Sequence, residues 1–243
     1  MSHMRAAFVA AACCAVAIAP AANASTMAQM NAPPVPWTDS GATPNVERDA
    51  ANHVTAISLV IPGATIKSLP AARSEAVYPV SGAGLVQSVN LQWHPFGHEP
   101  EHVYDVPHFD VHFYTIAEGV RHGIVPGAAA GKVQPAKRIM PPGVMLAPGY
   151  VPMMGMHAIP LTQPEFKGGT FGISPVIGYW NGNLAFFEVM FSKAWLEQKK
   201  DAQGAYPQPA TAPRHGAYPT KYAVHYDAAK DTYTVALTNF RLR

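Results

Sequence analysis

The stretch "YWNGNLAFFEVMF", residues 179–191, restricts what this chain can fold into more than any other. A tight type I′ turn needs two consecutive residues with positive φ, and Asn-Gly is the pair that adopts this most readily. The aromatic and aliphatic runs on either side of Asn181-Gly182 must then be neighbouring antiparallel strands. Long helices are disfavoured throughout, because 24 prolines and 19 glycines interrupt the 243 residues. That share is high for a helical protein and short of the share that marks disorder. The expected fold class is mainly β: a β-rich barrel or sandwich with one or two short helices.

Other segments agree. Ile57, Leu59 and Ile61 alternate on one face and stop at Pro62-Gly63. Leu85, Val89, Leu91 and Trp93 lie opposite Ser88, Asn90, Gln92 and His94, which predicts a strand with one buried face. "KYAVHYD" and "DTYTVALTNF" flank residues 228–230 as a second hairpin. Helix is expected at 116–122 and at 192–200, where Ser192 can cap. Residues 124–156 read as a long Pro/Gly/Met loop, and no internal repeat is present.

The first 24 residues read as a secretory signal peptide. Arg5 supplies the positive start, residues 6–19 the apolar run, and Ala22-Asn23-Ala24 the cleavage site. The apolar run is too short to span a bilayer, and no later one is long enough. Both cysteines, Cys13 and Cys14, lie in this leader, so the exported chain would contain neither disulfide nor thiolate ligand. The expected location is periplasmic or secreted. Residues 25–50, with Pro33, Pro34, Pro36 and Pro44, read as an extended N-terminal arm. Residues 51–243 read as a single β-rich metal-binding domain. A formal net charge of +2 provides no basic face for nucleic acid.

With no thiol left, any metal must be held by His, carboxylate or Met. His94, His98, His102, His108 and His112 fall within nineteen residues, a concentration far above uniform scatter for eleven histidines. His94, His98 and His102 stand among Pro95, Gly97 and Pro100, as in a loop. In "VYDVPHFDVHFYTI", residues 103–116, strand alternation projects His108, Asp110 and His112 together while Phe109, Val111 and Phe113 take the other face. Pro107 also permits a helix start, but the β-branched and aromatic content favours the strand.

Two distant residues complete a candidate site. Glu188 shares a strand face with Leu184, Phe186 and Met190, where an unpaired carboxylate would be costly and needs a cation or a proton. His157, in "MMGMHAIP", leads into an apolar segment. The expected ligands of one divalent transition metal per chain are therefore His108, His112, His157 and Glu188. Zinc is the first choice, with iron, manganese or copper as alternatives. Asp110 and His98 are the candidate catalytic residues, orienting a ligand or acting as base. The competing reading pairs Glu188 with Arg121 or Arg138 and leaves His157 in the core. His53, His122, His215 and His225 are scattered and read as surface or structural.

The pattern matches no H-E-x-x-H metalloprotease and no G-x-S-x-G hydrolase. The expected function is a metal-dependent enzyme, a hydrolase or lyase with zinc or an oxygenase with iron or copper. Met140, Met145, Met153, Met154 and Met156 precede His157 and raise a second possibility, periplasmic copper handling through thioethers. A third is a structural, shell-forming envelope protein. The same methionines equally suit irregular packing.

Five blocks, in order, carry a resemblance: "GHEPEHVYDVPHFDVHFY", "MGMHA" at 154–158, "PEF" at 164–166, "IGYWNGNLAFFEVMFSKAWLE" at 177–197 and "YPTKYAVHYDAAKDTYTVAL". Over residues 45–243 the chain resembles a bacterial secreted family of unknown function whose structural representative comes from Thermus thermophilus. The resemblance implies one β-rich domain that assembles into homo-oligomers. It also implies that His98, His108, Asp110, His112, His157 and Glu188 belong to the family pattern, and it brings no assigned reaction. The expected partner of the site is an unidentified small-molecule ligand.

Overall fold

The computed structural model describes residues 32–243, so the expected signal peptide lies outside the described residues. In chain order the first strands are β1 (Val35–Pro36), β2 (Thr43–Arg48), β3 (Val54–Pro62), β4 (Ser74–Pro79), β5 (Ser88–His94) and β6 (His108–Tyr114). There follow β7 (Val144–Leu146), β8 (Met156–Pro160), β9 (Ile173–Trp180), β10 (Asn183–Ser192), β11 (Ala202–Ala205), β12 (Ala217–Asp227) and β13 (Thr232–Leu242).

They form two open sheets. One has eight strands in the order β1-β4-β5-β6-β10-β9-β8-β7, the other five in the order β11-β12-β13-β3-β2. The fold is thus mainly β and not a closed barrel. The β9–β10 hairpin turns at Asn181 and Gly182, whose φ values are 48° and 72°. The second hairpin pairs β12 with β13, from Asp227↔Thr232 to Ala217↔Leu242.

Apolar alternation packs one sheet on the other. Val89, Leu91, Phe109, Val111, Phe113, Val189 and Phe191 of the larger sheet share a buried cluster with Ile57, Leu59, Ile61, Val235 and Leu237 of the smaller. Each such side chain removed from water contributes roughly 1.5–3 kcal/mol, and the Phe109 and Phe191 rings stack at 5.4 Å. The N-terminal segment joins this core. β1 runs parallel to β4, β2 pairs with β3, and Trp37 between them is buried. The described part of the expected arm therefore edges both sheets.

The polar face of β5 departs from expectation. Every residue of β5 and β6 is buried, Ser88, Asn90, Gln92 and His94 included. A second apolar cluster covers that face: Tyr104, Ile124, Met154, Ile159 and Phe171 pack on Tyr114, Val176, Phe186 and Met190. The 124–156 segment accounts for much of this cover. It folds into two 3₁₀ turns, Ala129–Lys132 and Lys137–Ile139, plus β7, and is tied by the Tyr150 hydroxyl to the Val125 carbonyl at 2.8 Å. A polar strand face is thereby enclosed by chain that shows no periodicity of its own.

Helical material is limited, among the described residues, to Gly63–Lys67, Glu118–His122, Lys193–Leu196 and the short 3₁₀ turns. The Ser192 hydroxyl accepts from the Trp195 amide at 3.2 Å, capping the last helix as its sequence predicts. No described helix is long and apolar enough to cross a membrane.

Candidate metal centre

The strand geometry of β6 divides the histidines that the sequence places together. Successive residues of a strand rise about 3.3 Å, so His108 and His112 lie about 13 Å apart along the same face and cannot both bind one ion. Each instead meets a different set of cross-strand neighbours. His108 stands opposite His94 of β5, and His112 stands opposite Glu188 of β10. Two groups of potential ligands result: His94, His98, His108 and Asp110, and separately His112, His157 and Glu188. The expected four-ligand set is corrected accordingly, with His108 placed in the other group.

In the smaller group, Glu188 Oε1 lies 3.4 Å from His112 Nε2, and Oε2 lies 3.9 Å from His157 Nε2. His157 arrives from β8, paired with Gly178 of β9. A Cβ on Gly178 would run into the Phe186 ring. Glycine there lets Phe186 lie edge-on against His112 at 4.8 Å and His157 at 5.0 Å. Leu184 does not share this face as alternation predicts. A register shift between Leu184 and Phe186 turns it into the inter-sheet core.

Burial pushes the Glu188 carboxyl well above the usual range, and the charge of Asp110 adds to that. Burial also holds His112 well below its ordinary value and brings His157 down to about 4. Both imidazoles are therefore neutral near pH 7, the form that binds metal. Both nitrogens of His112 and the Oε2 of Glu188 are buried without a hydrogen-bond partner. His157 Nδ1 faces the Gly155 carbonyl at 3.2 Å, which fixes the proton there and leaves Nε2 as a lone pair. Such outer anchoring is typical of metal-binding imidazoles. Unmet polar atoms converging in a dry site are a poor arrangement, and the set of one carboxylate and two neutral imidazoles fits an ion. Arg121 is not the partner of Glu188: its guanidinium grips Glu75 at 2.9 and 3.1 Å and Glu118 at 2.9 Å.

In the larger group, three imidazoles surround one carboxylate. Asp110 Oδ2 lies 2.9 Å from His94 Nε2 and 3.3 Å from His98 Nε2, while Oδ1 lies 3.3 Å from His108 Nε2. His94 is not among the expected ligands, because in the sequence it stands with His98 and His102 beside a Pro/Gly loop. The usable signal is its place at the end of the β5 alternation, in register with His108. Gln92 links it to Glu75, accepting near His94 Nε2 at 3.2 Å and donating to Glu75 at 2.7 Å. Burial brings His94 down to about 3. Burial also opposes ionisation of Asp110, but the charges of His94 and His108 hold its carboxyl well below the usual range. His98 feels the same burial, yet its hydrogen bond to Asp110 leaves it raised.

A cavity of about 460 Å³ reaches both groups. His98, Asp110 and His157 line it with Arg73, and Tyr104, Met154, Ile159, Val176 and Met190 make its apolar wall. Volume and lining are those of a small-molecule site. The methionines do not converge: Met154 packs in one apolar cluster, Met156 and Met140 in or against the other, and Met145 is exposed. No family model, curated protein or solved structure matches the chain.

Proposed function

We propose that this is an exported metal-dependent enzyme of the hydrolase or lyase type, acting on a small molecule held in the cavity beside His157. The observation that carries the reading is Glu188, a fully buried carboxyl group between two neutral imidazoles, with its own Oε2 and both nitrogens of His112 left unmet. Three protein ligands from β6, β8 and β10 suit zinc and leave a position for water or substrate. An ion held there would supply Lewis-acid polarisation of a substrate oxygen and acidify a water. The chain itself excludes solvent with Phe186 and Met190, and keeps His157 oriented through the Gly155 carbonyl. Asp110 and His98 face the same cavity as members of a crowded three-imidazole group, not as an isolated acid–base pair.

The non-catalytic copper reading gains no support from the scattered methionines. Assembly into homo-oligomers is part of the proposal and is checked by light scattering of the untagged protein. The decisive experiment is elemental analysis of protein purified without a nickel column, followed by a screen of small esters, lactones and phosphoesters. Zinc-dependent turnover that His157→Ala abolishes supports the reading. Protein that neither carries nor takes up an ion at Glu188 overturns it.

A further inference from the structure

The group at Asp110 has a chemistry that the site at Glu188 does not explain. His108 Nδ1 lies 2.7 Å from the Val106 carbonyl oxygen, and His98 Nδ1 lies 2.7 Å from the Glu99 carbonyl oxygen. Only a nitrogen carrying hydrogen can face a carbonyl so closely, so both rings are protonated at Nδ1. In the neutral ring the Nε2 atom is then a bare lone pair. Both Nε2 atoms nevertheless point at Asp110, each 3.3 Å from a carboxylate oxygen. Two acceptors do not approach one another without a cation between them.

Protons are an incomplete answer. One carboxylate compensates one imidazolium, whereas three rings lie with centroids 4.6–5.0 Å apart around this one. His94 can donate from its neutral ring to Asp110, 2.9 Å from Nε2 to Oδ2, but imidazolium ions at both His98 and His108 would repel strongly at that spacing. A single divalent ion satisfies every ring in its neutral form. The His108 Nε2, Asp110 Oδ1 and His94 Nδ1 atoms have no hydrogen-bond partner in the interior. The four ligand atoms lie within 4.8 Å of one another, and small inward rotations bring them to the edges of about 3.3 Å that tetrahedral zinc requires.

We infer that His94, His98, His108 and Asp110 form a second metal site, for zinc or a similar divalent transition ion, where the sequence predicts a single ion per chain. With three nitrogens and one oxygen from the protein its coordination is closed, the pattern of a structural site and not a catalytic one. Its position gives it a task. His94 and His108 end two central strands, whereas His98 belongs to the 95–107 segment that supplies His98, Glu99, Pro100 and Tyr104 to the cavity wall. An ion here staples that wall to β5 and β6. The inference is independent of the ion at Glu188, although both sites border one cavity.

Zinc uptake by the untagged, chelator-stripped mature protein, counted per chain by elemental analysis, tests it. Two ions are expected in the wild type, one in Asp110→Asn, one in His157→Ala and none in the double variant. Asp110→Asn keeps the side-chain shape, so a folded protein is expected, whereas His108→Ala opens a cavity in the buried face. Zinc should also slow hydrogen exchange of residues 95–107 in the wild type and in His157→Ala, but not in Asp110→Asn. A single ion removed by His157→Ala and retained by Asp110→Asn overturns this inference and leaves the proposed function standing. A single ion removed by Asp110→Asn alone supports the second site and overturns the site at Glu188. No ion in the wild type overturns both.

Discussion

Glu188 and His112 face each other across the β6–β10 ladder, with Oε1 and Nε2 3.4 Å apart and neither side chain more than 1% exposed. The pair is what the β register makes of two residues 76 positions apart in the chain. Its neighbour His157 comes from a third strand, so the cluster forms only when the sheet does. The consequences are measurable.

Glu188→Gln preserves shape and removes the ionisable oxygen. In metal-free protein we expect a melting temperature unchanged or raised by a few degrees, because a buried carboxyl with an unmet oxygen is lost. With zinc present, the wild type should gain stability and the variant should gain far less, since binding to the folded state is itself stabilising. Melting curves with and without zinc should cross. Equal destabilisation of the variant in both conditions would show that Glu188 holds a structural contact instead.

Gly178→Ala should lower stability by about 1–3 kcal/mol, the usual cost of overpacking. The added Cβ meets the Phe186 ring, which also contacts His112 and His157. Zinc affinity should fall with it. Gly119→Ala provides the contrast. Nothing lies within 4 Å of its added Cβ, and the position is inside the helix Glu118–His122. That change should stabilise by roughly 0.5–1 kcal/mol. Denaturant melts of both variants decide, and opposite signs are required.

Acid should destabilise the metal-free protein through its neutral histidines. His157 is held at about 4 by burial, against roughly 6.5 in the unfolded chain. Between those values the unfolded state binds a proton that the folded state refuses, so this contribution to stability is complete above pH 6.5 and is lost as pH falls toward 4. Glu188, raised by burial, contributes in the opposite sense, favouring the fold at low pH and losing that advantage as pH rises. The test is therefore a difference. His157→Gln should reduce the acid slope by about 1.4 kcal/mol per pH unit in that window. An unchanged slope would mean that His157 titrates normally.

Export predicts a definite product. Signal peptidase should cut between Ala24 and Ser25, which removes Cys13 and Cys14 and leaves a chain without cysteine. Intact mass of protein from the envelope fraction, together with a thiol assay, checks this. A retained leader on cytoplasmic protein would contradict it.

Local chemistry made several features readable from the chain alone. Asn181-Gly182 demanded its hairpin because few pairs tolerate two positive φ values. Alternation in β3 and β5 marked the faces that meet between the sheets, and Ser192 marked its helix because a hydroxyl can accept from the first free amides. Glu188 stood out for a similar reason, as a carboxylate among apolar neighbours.

Partnership across strands was decided only by the tertiary structure. His108 and His112 look like co-ligands in a string of letters, but strand rise separates them and register gives each a different neighbour. His94 became a candidate ligand only once β5 lay beside β6, and His157, a candidate from the start, reached Glu188 only because β8 had been added beyond β9. The covering of the polar face was equally hidden, since the 124–156 segment encloses it with irregular contacts that have no period to read. Alternation tells which side of a strand a residue occupies. Which residue faces it from the next strand depends on pairings between segments far apart in sequence, and these the chain settles only by folding.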